Sequence, residues 1–168
     1  MTDRLSEAER SAWSGLVESH RAFIDSRMAL LRQGRAAELV RAGLDDPAER
    51  AAALSIVPCL DEAGQKSLFP DLLALASYGH GLTEEAVALL AALPRPWVLE
   101  NIERHAEPLL QQGSYEEYRM MLRIYDELGA SALAKQLAAR AAGTADPDIR
   151  EAGEDFLERL TTREASEG

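Results

Sequence analysis

A single cysteine, Cys59, is all the thiol chemistry this 168-residue chain carries. It cannot close an internal disulfide or supply a cysteine-rich zinc site, so stability has to come from a packed core rather than from covalent staples. Long apolar runs are missing as well. No uninterrupted stretch approaches the roughly 18–20 residues of a membrane span, and the opening Met1-Thr2-Asp3-Arg4-Leu5-Ser6 lacks the charged-then-apolar build of a secretory signal. A cytoplasmic setting is the expectation. Aromatic residues make up only 5% of the chain and lysine is confined to Lys66 and Lys135, whereas 29 Asp and Glu outnumber 18 Lys and Arg for a net charge of -11. That sign disfavours a nucleic-acid or anionic-membrane surface, both of which need a positive patch to displace counterions.

What is present is alanine, leucine, glutamate and arginine, with apolar positions recurring at three- and four-residue spacing. This pattern reads as all-α. The charge is lopsided: residues 1–44, with seven arginines, are near neutral, while residues 45–100 and 101–168 each carry a net -6. Solvated helix faces explain such a distribution, and so does an acidic surface that steers a basic partner.

One domain over 1–160 is expected, with a polar tail at 161–168. A long helix should run from Ser6, which can cap with Glu9, to about Gln33 before Gly34. Its stripe of Trp13, Leu16, Val17, His20, Phe23, Ile24 and Leu31 is wide enough to predict burial against neighbours, as a lid over one end of the fold. A short helix Ala36–Ala42 should stop at Gly43. From there the punctuation is regular. Asp45-Asp46-Pro47 opens Ala48–Val57, halted by Pro58; Gln65–Ser77 restarts near Pro70 and breaks at Gly79-His80-Gly81; Thr83, Glu84 and Glu85 open Ala86–Ala92. Pro94 and Pro96 precede Trp97–His105, and Pro108 should begin a separate piece to Gln112. Gly113-Ser114 launches Tyr115–Leu128, Ser131–Ala142 lies between Gly129 and Gly143, and Asp146-Pro147 caps Asp148–Leu160.

Two of these segments are self-similar. Asp46-Pro47-Ala48-Glu49-Arg50 and Asp146-Pro147-Asp148-Ile149-Arg150 share an Asp-Pro, an arginine three positions after the proline and small residues beyond it. Leu82-Thr83-Glu84-Glu85-Ala86 is a degenerate third copy. The motif resembles the second helix of HEAT-like repeats in the armadillo-type superfamily. The resemblance implies a right-handed superhelical stack of antiparallel helix pairs over about 36–160, a HEAT-like α-solenoid. The alternative from the residues alone is an irregular helical bundle whose caps happen to be Asp-Pro, and Gly113-Ser114-Tyr115-Glu116-Glu117-Tyr118 looks more like a tetratricopeptide opening.

Motifs that carry chemistry are scarce. His105-Ala106-Glu107 has the His-x-Glu of zinc deaminases without the downstream Pro-Cys-x-x-Cys that holds the metal. No Glu-x-x-His, His-Glu-x-x-His, Gly-x-Ser-x-Gly or Gly-rich phosphate loop occurs. Glu100, Glu103 and Glu107 would form a carboxylate stripe if their helix continued, either a solvated face or a cation site. His20 in its apolar stripe reads as a hydrogen-bonded interhelical histidine, His80 as part of a turn that could line a site, and Cys59 as a small buried residue. Trp97, Tyr115 and Tyr118 either pack in the core or anchor a partner.

The reading is therefore a non-catalytic module that binds another protein, basic if acidic steering operates, along a helical-repeat surface. No metal or other cofactor is expected. Glu84, Glu85, Trp97, Glu100, Glu103, Glu116 and Glu117 are its candidate partner-binding residues. The rivals are an immunity- or antitoxin-like protein that occludes a basic toxin, and a small-molecule enzyme on a HEAT-like scaffold with a pocket around His80, His105 or Trp97.

Overall fold

A computed structural model of the chain describes the backbone of residues 6–167 and the side chains of residues 6–163. Met1–Leu5 and Gly168, which belong to the expected leaderless start and polar tail, lie outside the described residues. Ten α-helices and one 3-10 turn account for the described chain, without a strand among the described residues. In chain order they are α1 (Glu7–Leu31), α2 (Ala36–Asp45), α3 (Arg50–Ile56), α4 (Glu62–Ser67), α5 (Phe69–Ala76), α6 (Thr83–Ala92), α7 (Arg95–Gln111), α8 (Tyr115–Glu127), α9 (Ser131–Ala142) and α10 (Pro147–Glu167), with the 3-10 turn Val57–Cys59 after α3.

Local chemistry sets most of the boundaries. Ser6 and Glu9 form a capping box that opens α1, and Ser114 with Glu117 forms another that opens α8. Asp61 Oδ1 accepts the Gly64 N–H at 2.7 Å to start α4. The two Asp-Pro turns share a geometry: Asp46 Oδ1 accepts the Ala48 N–H at 2.8 Å and Asp146 Oδ1 accepts the Asp148 N–H at 3.0 Å. In both, the aspartate carbonyl accepts the N–H of the arginine four residues on, Arg50 or Arg150. α8 ends in a Schellman motif, with the Ala130 N–H on the Tyr125 carbonyl at 2.7 Å and Gly129 at φ 69°. A residue bearing a Cβ would be strained there.

Neighbours in sequence are neighbours in space. α2 packs on α3, α5 on α6 and α9 on α10, while α7 lies mainly on α5 with a smaller contact to α8, and α8 packs on both α9 and α10. A continuous core follows this path through Leu54, Phe69, Leu72, Leu90, Ile102, Met121, Ile124 and Ala138. The Arg41 Nε to Asp71 Oδ2 ion pair at 3.0 Å and the Arg41 Nη2 bond to the Ser67 carbonyl at 2.5 Å tie α2 to the α4–α5 region.

Several expectations need correction. Gly43 does not stop α2 but lies buried within it. A Cβ there would stand 3.1 Å from the Ala53 Cβ, so the glycine lets α3 approach closely. The Asp46-Pro47 turn delays α3 to Arg50. Pro108 does not start a new piece: α7 runs through it, because Ile102, Ala106 and Leu110 are buried on both sides and their burial outweighs one missing backbone hydrogen bond. The expected polar tail from Thr161 is the end of α10. Thr161 and Thr162 hydroxyls donate to the Leu157 and Glu158 carbonyls at 3.0 Å, and Arg163 Nη1 and Nη2 both reach Asp126 Oδ1 at 3.1 Å.

The largest departure is α1. None of its residues is buried, and only its last turn, at Leu30 and Leu31, packs against the core. Trp13 is 65% exposed and Leu16 61%. The helix does not close over the core as a lid: among the described residues only Leu30 and Leu31 of α1 pack against it, and Trp13, Leu16 and Phe23 stay exposed.

The tightest helix contact is α9 against α10. A Cβ on Gly153 would stand 2.5 Å from the Ala142 nitrogen and 2.6 Å from the Ala138 carbonyl oxygen, backbone atoms that cannot move aside cheaply. Gly153→Ala should therefore destabilise the fold despite the better helix propensity of alanine, by about 2 kcal/mol. In a thermal melt followed by circular dichroism this corresponds to a fall in Tm of about 4–8 °C; an unchanged or raised Tm would mean that α9 and α10 are not in this contact.

Candidate interaction surface

The acidic residues singled out from the sequence do not gather into one open face. Glu84, at the start of α6, receives a hydrogen bond from Arg123 Nη2 on α8 at 2.6 Å, and Arg123 Nε reaches Glu127 at 2.6 Å. Glu116 accepts the Gly79 N–H at 2.8 Å, and Glu117 is spent on the α8 capping box. The Arg123 hydrogen bond lowers the Glu84 pKa, and the Ser114 hydroxyl lowers that of Glu117. Glu85, Glu100 and Glu103 remain exposed. Because α7 is continuous, Glu103 and Glu107 do lie one turn apart, but Glu107 is drawn to Arg140 Nη1 at 2.6 Å. Among the described residues no three His, Cys, Asp or Glu side chains converge on a point suited to a metal ion.

Trp97 belongs to the edge of the core. Its ring meets Phe69 edge-on with centroids 5.2 Å apart, and the Lys66 ammonium lies 5.2 Å from its centroid. His105 packs on the same Phe69 at 5.7 Å, and burial together with the neighbouring Arg104 pushes its pKa down. His80 is held from two sides. Its Nδ1 accepts the Leu82 N–H at 3.0 Å, which leaves Nε2 to donate to the Leu75 carbonyl at 2.8 Å. Buried Thr83 closes the same turn, accepting the His80 N–H at 3.0 Å while its hydroxyl lies 2.9–3.0 Å from the Tyr78 and His80 carbonyls. The Tyr78–Thr83 segment is thus a hydrogen-bonded turn between α5 and α6. His20 is exposed rather than interhelical, and Cys59 is half-buried.

Tyr125 on α8 is fully inside. Burial, reinforced by the charges of Glu103 and Glu107 and opposed by Arg140, raises its pKa far above the tyrosine norm. The phenol stays protonated near neutral pH.

Two surfaces remain open. One is the α1 stripe. The other is a groove of about 930 Å³ between α8 and α10. Tyr115, Met120, Ala152 and Phe156 form its apolar floor, and Arg119, Arg123, Arg159 and Arg163 alternate with Asp126, Glu127, Asp155 and Glu158 along its rims. Arg159 lies over the Phe156 ring at 5.2 Å. Of the residues lining it, sequence reasoning had singled out only Tyr115. The usable signal was the pair of four-residue arginine spacings, Arg119 to Arg123 and Arg159 to Arg163, but nothing local says that the two helices face each other.

No family model, curated protein or solved structure matched this chain. Among the described residues no helix is long and apolar enough to cross a membrane.

The Tyr125 environment has a measurable consequence. The folded state resists ionisation of this phenol while the unfolded chain ionises near pH 10. Stability conferred by the neutral buried phenol is thus complete below about pH 10 and lost as pH climbs beyond it. Chemical denaturation at pH 8 and pH 10.5 should show that loss, and Tyr125→Phe should reduce it; equal losses for both proteins would mean that the phenol is accessible.

Proposed function

We propose that this chain is a non-catalytic protein-interaction module, built as a HEAT-like stack of helix pairs and using α1 as its principal docking element. The observation that carries the reading is the exposed stripe of α1. Isolated helices are marginal in water, and most helical stability in proteins comes from packing an apolar face; α1 presents Trp13, Leu16 and Phe23 to solvent along 25 residues. Covering the exposed parts of these three side chains is worth on the order of 4 kcal/mol before the cost of association. Exposed apolar surface of this extent, rimmed by polar residues, is the usual mark of an interaction site.

The packing of α2 on α3, α5 on α6 and α9 on α10 supports the stacked-pair reading. The acidic body contributes long-range attraction toward basic regions of a partner, as a salt-sensitive increment rather than as the binding site itself, since Glu84, Glu116 and Glu117 are already engaged within the chain. A cytoplasmic setting is part of the reading, on the sequence ground already given.

The test is affinity capture from source lysate at low and high salt, with wild type and a Leu16→Ser/Phe23→Ser double variant. Both side chains are exposed, so the body should melt at an unchanged temperature. Wild type should recover a defined protein, its own chain included, with the variant recovering roughly tenfold less, the equivalent of about 1.4 kcal/mol. Equal recovery by the two proteins would remove α1 as the docking element; failure of wild type to retain any protein at either salt would remove the reading.

A further inference from the structure

The identity of the surface that covers α1 rests on the reading of that helix as a docking element. Its charges are segregated by sign. Glu7, Glu9 and Glu18 against Arg10 leave residues 7–19 at -2, and Arg21, Arg27 and the C-cap Arg32 against Asp25 leave residues 20–32 at +2. A second copy laid antiparallel sets -2 against +2 at both ends, whereas a parallel copy sets like against like.

The apolar positions are self-complementary in the same sense. They repeat at a seven-residue interval in two exposed layers, Trp13, Leu16 and Val17 and then His20, Phe23 and Ile24, while Leu30 and Leu31 of the following turn are taken by the chain's own core. In a reversed copy the first layer meets the second across a two-fold axis near Ser19 and His20, the self-complementary geometry of a C2 contact. Along one flank run Ala12, Gly15, Ser19, Ala22, Ser26 and Ala29, small enough to admit a closely approaching helix.

The available area also suffices. Twenty-five residues span about 37 Å, and half the girth of a cylinder about 10 Å across gives on the order of 600 Å² per copy. The resulting ~1,200 Å² clears the ~1,000 Å² expected of a specific interface while staying at its weak end. An anionic lipid surface fits less well, because α1 with its cap has as many acidic as basic side chains and the body is strongly acidic.

We infer that α1 is a self-association helix: two copies of the chain pair through α1 in antiparallel orientation to form a symmetric dimer. Each body is joined to the C-terminal end of its own α1, so the bodies sit at opposite ends of the helix pair. Two α8–α10 grooves are then offered by one particle, and a partner with two copies of a cognate segment gains avidity from that arrangement.

The test uses the purified full chain. Sedimentation equilibrium between about 1 and 100 µM should show a monomer–dimer equilibrium with a Kd in the micromolar range. Reversing the acids (Glu7→Arg, Glu9→Arg, Glu18→Arg) and, separately, the bases (Arg21→Glu, Arg27→Glu, Arg32→Glu) should make each variant monomeric, and mixing the two should restore a one-to-one dimer. Orientation follows from single cysteines in a Cys59→Ser background. His20→Cys should crosslink to its own copy, while Trp13→Cys, held about 20 Å from its counterpart in an antiparallel pair, should not. A chain monomeric at every concentration, or charge variants that do not recombine, would overturn the dimer; crosslinking at both positions would overturn the antiparallel arrangement. A monomer whose α1 stripe still controls capture of a different protein would leave the docking reading intact while removing self-pairing; a monomer without stripe-dependent capture removes both.

Discussion

Seven of the ten helices, α2 to α6 with α8 and α9, have thirteen residues or fewer. At that length a helix in water is marginal, so each survives only by burying one face against another, and the mutual burial of successive short helices is the constraint on which the structure rests. It explains why helices adjacent in the chain pack on one another and why their buried faces merge into one core. Phe69 shows the constraint at one point. Fully buried on α5, it meets Trp97 and His105 of α7 edge-on, so one side chain joins two helix pairs and places two residues that otherwise look like candidates for chemistry.

The same constraint accounts for the small residues. Ala134, Ala138 and Ala141 on α9 are buried, and Gly153 on α10 sits against the Ala138 and Ala142 backbone and the Ala141 Cβ, so this pair packs at close range with little side-chain volume between. Gly43 does the same for α2 against α3. What reads in one dimension as a helix stop is in three dimensions a site of approach, and the distinction turns on whether another helix lies over the glycine. Gly129, at positive φ with both Schellman hydrogen bonds, and Gly143, the C-cap of α9, are stops that conform to their sequence reading.

Legibility divides along the same line between local and distant causes. The capping boxes at Ser6 and Ser114 and the bounds Ser131–Ala142 were readable because a few adjacent residues determine them. The persistence of α7 through Pro108 was not, since the burial of Ile102 and Leu110 by other helices outweighs a local break. The fate of the acids was hidden for a related reason. Glu84 to Arg123, Glu107 to Arg140 and Asp126 to Arg163 join residues 33 to 39 positions apart, so a count of charges along the chain overstates how many are free to meet a partner. These pairs are largely solvent-accessible and individually weak; their effect is to set which acids remain available, not to hold the fold.

For α1 the sequence pattern was sound and the inference drawn from it was incomplete. A stripe of Trp13, Leu16, Val17, Phe23 and Ile24 says that the helix needs cover; it does not say that the cover is in the same chain. Among the described residues the body does not supply it, since Leu30 and Leu31 at the helix end are the α1 side chains that pack against the core. Any surface that does must satisfy three conditions at once: an apolar ridge at the seven-residue repeat, space beside the small flank from Ala12 to Ala29, and charges opposite in order to -2 followed by +2. A reversed copy of α1 meets all three by symmetry, since a helix whose two halves carry opposite charge is its own complement when turned end for end. A uniformly basic or uniformly acidic partner helix meets only half of the third, being attracted by one end of α1 and repelled by the other. An acidic body would attract basic surfaces in general, but that attraction would act away from the stripe, so the pairing we propose for α1 rests on shape and charge order along the helix itself.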